Sequence, residues 1–260
     1  MIQKSLLMLS VSAMLSLTAC VSTTQTTSGV NRKQLMFVPQ SVVESTAQSR
    51  YEQYAREAKA NHTYITNGRL TEIMQVLIPY AEAMMSEKRK IDWQINANLN
   101  NYPNAVSVAS GQIVVSTSFI IGPTFTDDEL ATLIAHEMAH IVRQHGREKA
   151  SILNLGTFTG HNRNLELEAD QLGLEIMTRA GYEPASAISF WQKTDQLIRR
   201  TEALMKKSER ASATPPLLSS HPQYEERLKR IQQYVIKMEA LRDSLNTRNS
   251  SISATPVSVS

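Results

Sequence analysis

The 260-residue sequence predicts an α+β fold, mainly helical, with a small antiparallel β-sheet beside one long helix. Three observations predict it. Apolar residues recur at every second position through Ile91, Trp93, Ile95 and Ala97, again at Val106 and Val108, and again from Ile113 to Val115, which is the period of half-buried strands. Beyond Pro123 the apolar spacing lengthens to that of helices and stays so almost to the end. The composition, 42% apolar and 20% charged, suits one globular domain, and the formal charge of +3 is spread along the chain, so nothing argues for a nucleic-acid partner.

Taken in order, residues 1–19 carry one positive charge at Lys4 and an apolar run from Leu6 to Leu17, the pattern of a signal peptide. Leu17-Thr18-Ala19-Cys20 resembles a bacterial lipobox, which implies cleavage after Ala19, acylation of Cys20 and attachment to a membrane. Val rather than Asp at position 21 points to the periplasmic face of an outer membrane. Cys20 is the only cysteine, so the domain has no internal disulfide. No later segment approaches the roughly 18 apolar residues of a membrane span. Residues 20–30 then read as the lipidated cysteine and a Ser/Thr-rich flexible tether, residues 31–246 as one folded domain, and 247–260 as a disordered tail.

Within the domain, Ser41 and Glu44 suggest a capping box opening a helix that reaches about Ala60, and a second helix is expected from Arg69 to Lys88 with Pro79 as a kink. The strand region follows, turning at Ser110-Gly111. Thr126 and Glu129 form another capping box, and Asp127, Asp128 and Glu129 put negative charge where a helix dipole favours it. Helices are expected at 127–149, 164–180, 185–208 and 223–246.

The first of these contains "HEMAH". Residues four apart stand on one helical face, so His136 and His140 aim two imidazoles at one point, and Glu137 sits where its carboxylate reaches beside a metal without binding it. This is a zincin arrangement, with Glu137 placed to take a proton from a water activated by Zn2+, one ion per chain. The motif alone also arises by chance, so a third ligand is needed. His145 lies about 180° around a continuous helix from His136 and is not expected to serve. Downstream, Glu166, Ala169, Asp170, Gly173 and Met177 share a face; small Ala169 and Gly173 let this face press against another helix, bringing Glu166 to the metal and Asp170 behind a ligand histidine. Glu168 points away.

The chain resembles the membrane-associated gluzincin zinc metallopeptidases, the family of HtpX, CAAX prenyl protease, BepA and LoiP type, and is most similar to its periplasmic lipoprotein members. "NRKQLMFVP", "NAVSVASGQIVVSTSFI", "HEMAHIVRQH", "ELEAD" and "SSHPQYEERLKRI" carry the resemblance over most of the chain. It implies zinc ligation by His136, His140 and Glu166, base catalysis by Glu137, and support from Asp170 and from Arg227, six residues after His221. His221 is a candidate donor to the oxyanion, or else a capping or core histidine before Pro222. The strand through Gly111, Ile113 and Val115 is a candidate to receive an extended substrate as an added strand, or else an ordinary sheet edge.

These readings converge on a zinc endopeptidase that cleaves unfolded or misfolded proteins in the bacterial cell envelope, anchored to the membrane through Cys20, with envelope assembly machinery as a further partner class. Two readings compete: a non-catalytic zinc-containing chaperone or assembly adaptor, and a metal-dependent hydrolase acting on a non-peptide bond.

Overall fold

The computed structural model describes residues 20–121, 125–153, 159–207 and 224–253. In chain order these form β1 (Cys20–Val21), β2 (Gln34–Leu35), α1 (Gln40–Ala60), β3 (Tyr64–Ile65), α2 (Gly68–Ala83), β4 (Gln94–Asn98), β5 (Ala105–Ser107), β6 (Gln112–Ser116), α3 (Ser118–Ile121), α4 (Asp127–Val142), α5 (His145–Leu153), α6 (Thr159–Arg179), α7 (Ser186–Lys207) and α8 (Tyr224–Ser253). This is a mainly helical α+β domain.

The main sheet is mixed, in the order β3-β4-β6-β5. β6 pairs antiparallel with β5 but parallel with β4, Gln94 opposite Gln112 through Asn98 opposite Ser116. The chain reverses twice between β4 and β6, so the two run the same way, and alternation along a strand says nothing of direction. At the second reversal Gly111 adopts φ +118°, and a Cβ there would fall 2.6 Å from the Asp92 carbonyl oxygen.

α4 is the central element. Thr126 Oγ1 accepts from the Glu129 backbone and Glu129 Oε2 accepts from the Thr126 backbone, the capping box expected from sequence. Every residue from Glu129 to Val142 is buried, as befits a helix packed on all sides. α6 lies against it across Ala169 and Gly173, where a Cβ on Gly173 would meet the His136 backbone nitrogen at 2.9 Å. Only glycine permits this approach. Phe119, Phe125 and Phe190 close the core with ring centroids 5.6–5.9 Å apart.

Several boundaries differ from expectation. α1 starts after Pro39 with no side-chain cap, because Glu44 accepts from Gln40 and from Arg89 instead of closing a box with Ser41. α2 is capped by Asn67 and ends at Ala83, with Pro79 inside it. The expected 127–149 helix is two helices, since Gln144 takes φ +55° between Val142 and His145. α8 continues to Ser253, into the expected disordered tail, because a helix already nucleated by packing propagates at little cost into polar residues.

The largest correction concerns residues 20–30. Rather than a flexible tether, this segment is packed: Cys20 and Val21 pair with Leu35 and Gln34, Thr24 bridges to Met85, and Thr23, Thr24 and Val30 are buried. The small hydroxyls find fixed partners. Thr23 Oγ1 donates to the Arg143 carbonyl, and Thr27 and Ser28 donate to the Glu175 carboxylate.

Candidate metal centre

His136 and His140 are one turn apart on α4, and α6 brings Glu166 to them. One ligand atom from each of the three lies within 4.8 Å of the others, and all three residues are buried. His136 Nε2 is 3.2 Å from His140 Nε2 and 3.4 Å from Glu166 Oε2, and His140 Nε2 is 3.6 Å from Glu166 Oε1. A tetrahedral zinc with bonds of about 2.0–2.1 Å separates its ligand atoms by about 3.3–3.4 Å, so two imidazole nitrogens and a carboxylate oxygen at these spacings fit it in geometry and donor chemistry. Glu137 is buried on the same helix, near enough for its charge to act on His140 and Arg227.

Behind His136, Nδ1 lies 3.0 Å from Asp170 Oδ1. Arg227, reaching in from α8, grips Asp170 with two parallel bonds, Nε to Oδ2 at 2.8 Å and Nη2 to Oδ1 at 2.7 Å, and sets Nη1 3.5 Å from Glu166 Oε2. Its guanidinium stacks 4.0 Å over the Trp191 ring. Burial disfavours charge on all of these groups, but the Asp170 and Glu166 hydrogen bonds raise His136 to about 9, and the Arg227 charge and bonds hold Asp170 at about 2.

Behind His140 the arrangement differs. The break at Gln144 folds His145 back so that its Nδ1 sits 2.8 Å from His140 Nδ1. His145 is therefore no member of the three-residue cluster, yet it is in direct contact with it. Glu168 does point away from the cluster, though into a partly buried ionic network rather than open solvent: Oε2 is 3.3 Å from His145 Nε2 and accepts from Arg143 Nε at 3.1 Å, and Oε1 accepts from Arg32 Nε at 2.6 Å. Burial works to raise Glu168, but hydrogen bonds from His145 and Arg32 bring it down to about 2. Burial pushes His145 down to about 3 despite Glu168, so the ring is neutral.

Other expectations fare differently. His221 lies outside the described residues. The substrate-strand reading of Gly111, Ile113 and Val115 needs correction: β6 is hydrogen-bonded on both sides, and Ile113 and Val115 are core residues, so no strand can add to it. The edge strands of this sheet are β3 and β5, of which β5 packs against α4 and has Val106 exposed. Trp191, Arg32 and Arg143 escaped the sequence reading, because no motif marks an aromatic or a cation that acts through a neighbour.

A buried His-His-Glu centre with a carboxylate beside it and an Asp-Arg pair behind it defines a metallopeptidase-type site. Matches to the model of peptidase family M48 cover residues 65–161 and 155–235, and the chain belongs to this family, whose members use zinc. Similar proteins include the mitochondrial metalloendopeptidase OMA1 of Schizosaccharomyces pombe, 25% identical over 59% of this chain and 50% of the relative. OMA1 of Saccharomyces cerevisiae is 33% identical over 40% of this chain and 37% of the relative. The β-barrel assembly-enhancing protease of Yersinia pestis is 22% identical over 67% and 41%. The chain thus spans half or less of the length of these relatives.

Proposed function

We propose that the chain is a zinc-dependent endopeptidase that hydrolyses peptide bonds of unfolded or misassembled envelope proteins. The observation that carries this reading is the buried cluster of His136, His140 and Glu166 with Glu137 beside it on α4. A zinc ion held by His136, His140 and Glu166 would supply the chemistry of lowering the pKa of a bound water to about 7. Glu137 takes the proton of the attacking water and returns it to the leaving amine. Asp170 accepts from His136 Nδ1 and so leaves Nε2 free to ligate, Arg227 keeps Asp170 charged and lies 3.5 Å from Glu166 Oε2, and His221 is a candidate donor to the oxyanion. A purely structural zinc site has no need of a base such as Glu137, which separates this reading from the chaperone or adaptor.

The free edge of β5, rather than β6, is the place for an extended substrate, which favours unfolded chains because a folded one has no free strand to add. The name of the Yersinia relative, with its reference to β-barrel assembly, supports an envelope role. So does the lipobox-like Leu17–Cys20, which would hold the enzyme at the periplasmic face of an outer membrane. No helix among the described residues is long and apolar enough to cross a membrane. The test is digestion of casein and of a folded protein by the full chain, with and without chelator. Chelator-sensitive cleavage of casein alone supports the proposal, and cleavage that survives complete metal removal overturns it.

A further inference from the structure

We propose that His145 is a positioning residue for the ligand His140, that Glu168 holds His145 in this role, and that the N-terminal segment completes the arrangement through Arg32. The inference rests on the reading of His136, His140 and Glu166 as the metal centre.

The proton order follows from the geometry. His140 presents Nε2 to the cluster, and a neutral ring that gives the Nε2 lone pair to a metal carries its proton on Nδ1. His145 Nδ1 lies 2.8 Å from that Nδ1, and a nitrogen facing an N–H at this distance accepts from it. His145 then carries its own proton on Nε2, facing Glu168 Oε2 at 3.3 Å. One assignment satisfies both contacts, and it is the assignment that leaves the His140 lone pair aimed at the metal.

Arg143, Arg32 and His145 surround the Glu168 carboxylate. Arg143 donates to Glu168 from the C-terminal end of α4. Arg32 lies between two helices, bonding Glu168 on α6 and Glu148 on α5, both at 2.6 Å, while Gln34 Nε2 donates to Glu148 and to the Arg143 carbonyl. A left-handed backbone at a non-glycine residue is unfavourable, and Gln144 adopts it at the point that turns His145 back onto His140. The stretch through Arg32 and Gln34, just after the segment read from sequence as a tether, is thus a wall of the ligand support.

Loss of such an outer partner typically costs about 10–100-fold in metal affinity. The test measures zinc affinity and zinc release to a chromogenic chelator, together with thermal unfolding of the metal-free protein, for the full chain and its variants. His145→Leu is expected to release zinc about 10–100-fold faster, with His145→Gln recovering part of the loss because its amide oxygen still accepts from His140. Glu168→Ala should speed release by a smaller factor and Arg32→Ala by less again. Thr178→Val, buried on α6 and bonded to the Leu174 carbonyl of its own helix rather than to this chain of contacts, should release zinc as wild type does. If His145→Leu fails to fold, the graded order of His145→Gln, Glu168→Ala and Arg32→Ala carries the test, and its absence overturns the proposal. Variants that lower metal-free unfolding temperature yet leave zinc release unchanged also overturn it, since His145 would then be structural only. A wild-type chain that holds no zinc, or holds it equally well after His140→Ala, overturns the metal-centre reading itself.

Discussion

His136 and His140 stand four residues apart on one helix and face the same point, but what stands behind them differs. His136 is backed in one step by a carboxylate, Asp170, which Arg227 clamps from α8. His140 is backed in two steps, by a neutral His145 and then by Glu168, which Arg32 near the start of the domain and Arg143 at the end of α4 hold in place. The difference follows from where the acids can come from. α6 passes His136 closely at Gly173 and offers Asp170 to its Nδ1 directly, whereas behind His140 Nδ1 stands His145, with Glu168 of α6 beyond it. A short support stiffens one ligand through a strong charge, and a longer one couples the other ligand to the N-terminal segment.

The comparison breaks most completely when a ligand is removed. His136→Ala and Glu166→Ala should both abolish stoichiometric zinc binding, as measured by metal analysis after gel filtration, because two remaining ligands do not hold the ion. Next in size is Arg227→Met. Both Arg227 and Asp170 are buried, and an uncompensated buried carboxylate costs about 3–5 kcal/mol, which denaturant unfolding of the metal-free protein should show. Asp170→Asn sharpens the contrast with His145. It removes the carboxylate behind His136 but keeps the shape, and zinc affinity should fall about 10–100-fold. The smallest effect is expected from Gly173→Ala, whose methyl would push α6 from the His136 backbone at a cost of about 1–3 kcal/mol. Zinc affinity should fall with it, since the same displacement carries Glu166 and Asp170 away.

The His136 side was legible in the sequence and the His140 side was not, for a physical reason. Helical periodicity places His136, His140, Glu166, Ala169, Asp170 and Gly173 correctly because all lie within regular helices, where residue number fixes direction. The same periodicity misplaces His145, because it assumes that the helix continues past Val142. One residue at φ +55° ends it, and glutamine gives no warning of a left-handed backbone. Residues 20–30 misled for the opposite reason: a Ser/Thr-rich run looks like a linker, but its hydroxyls and backbone amides satisfy buried partners such as Glu175 and the Arg143 carbonyl. The parallel β4–β6 pair was equally hidden, since alternation sets which face a residue occupies and not which way the strand runs.

The central claim is that Glu137 acts as a base at a zinc centre built by its neighbours, and Glu137→Gln tests it most directly. The substitution keeps size and leaves His136, His140 and Glu166 in place, so metal analysis should find one zinc per chain, as in wild type. Casein cleavage by that zinc-loaded variant should fall by about 10²–10⁴-fold, the contribution of a positioned proton-transfer group. Full proteolytic activity in Glu137→Gln carrying its zinc would contradict the account.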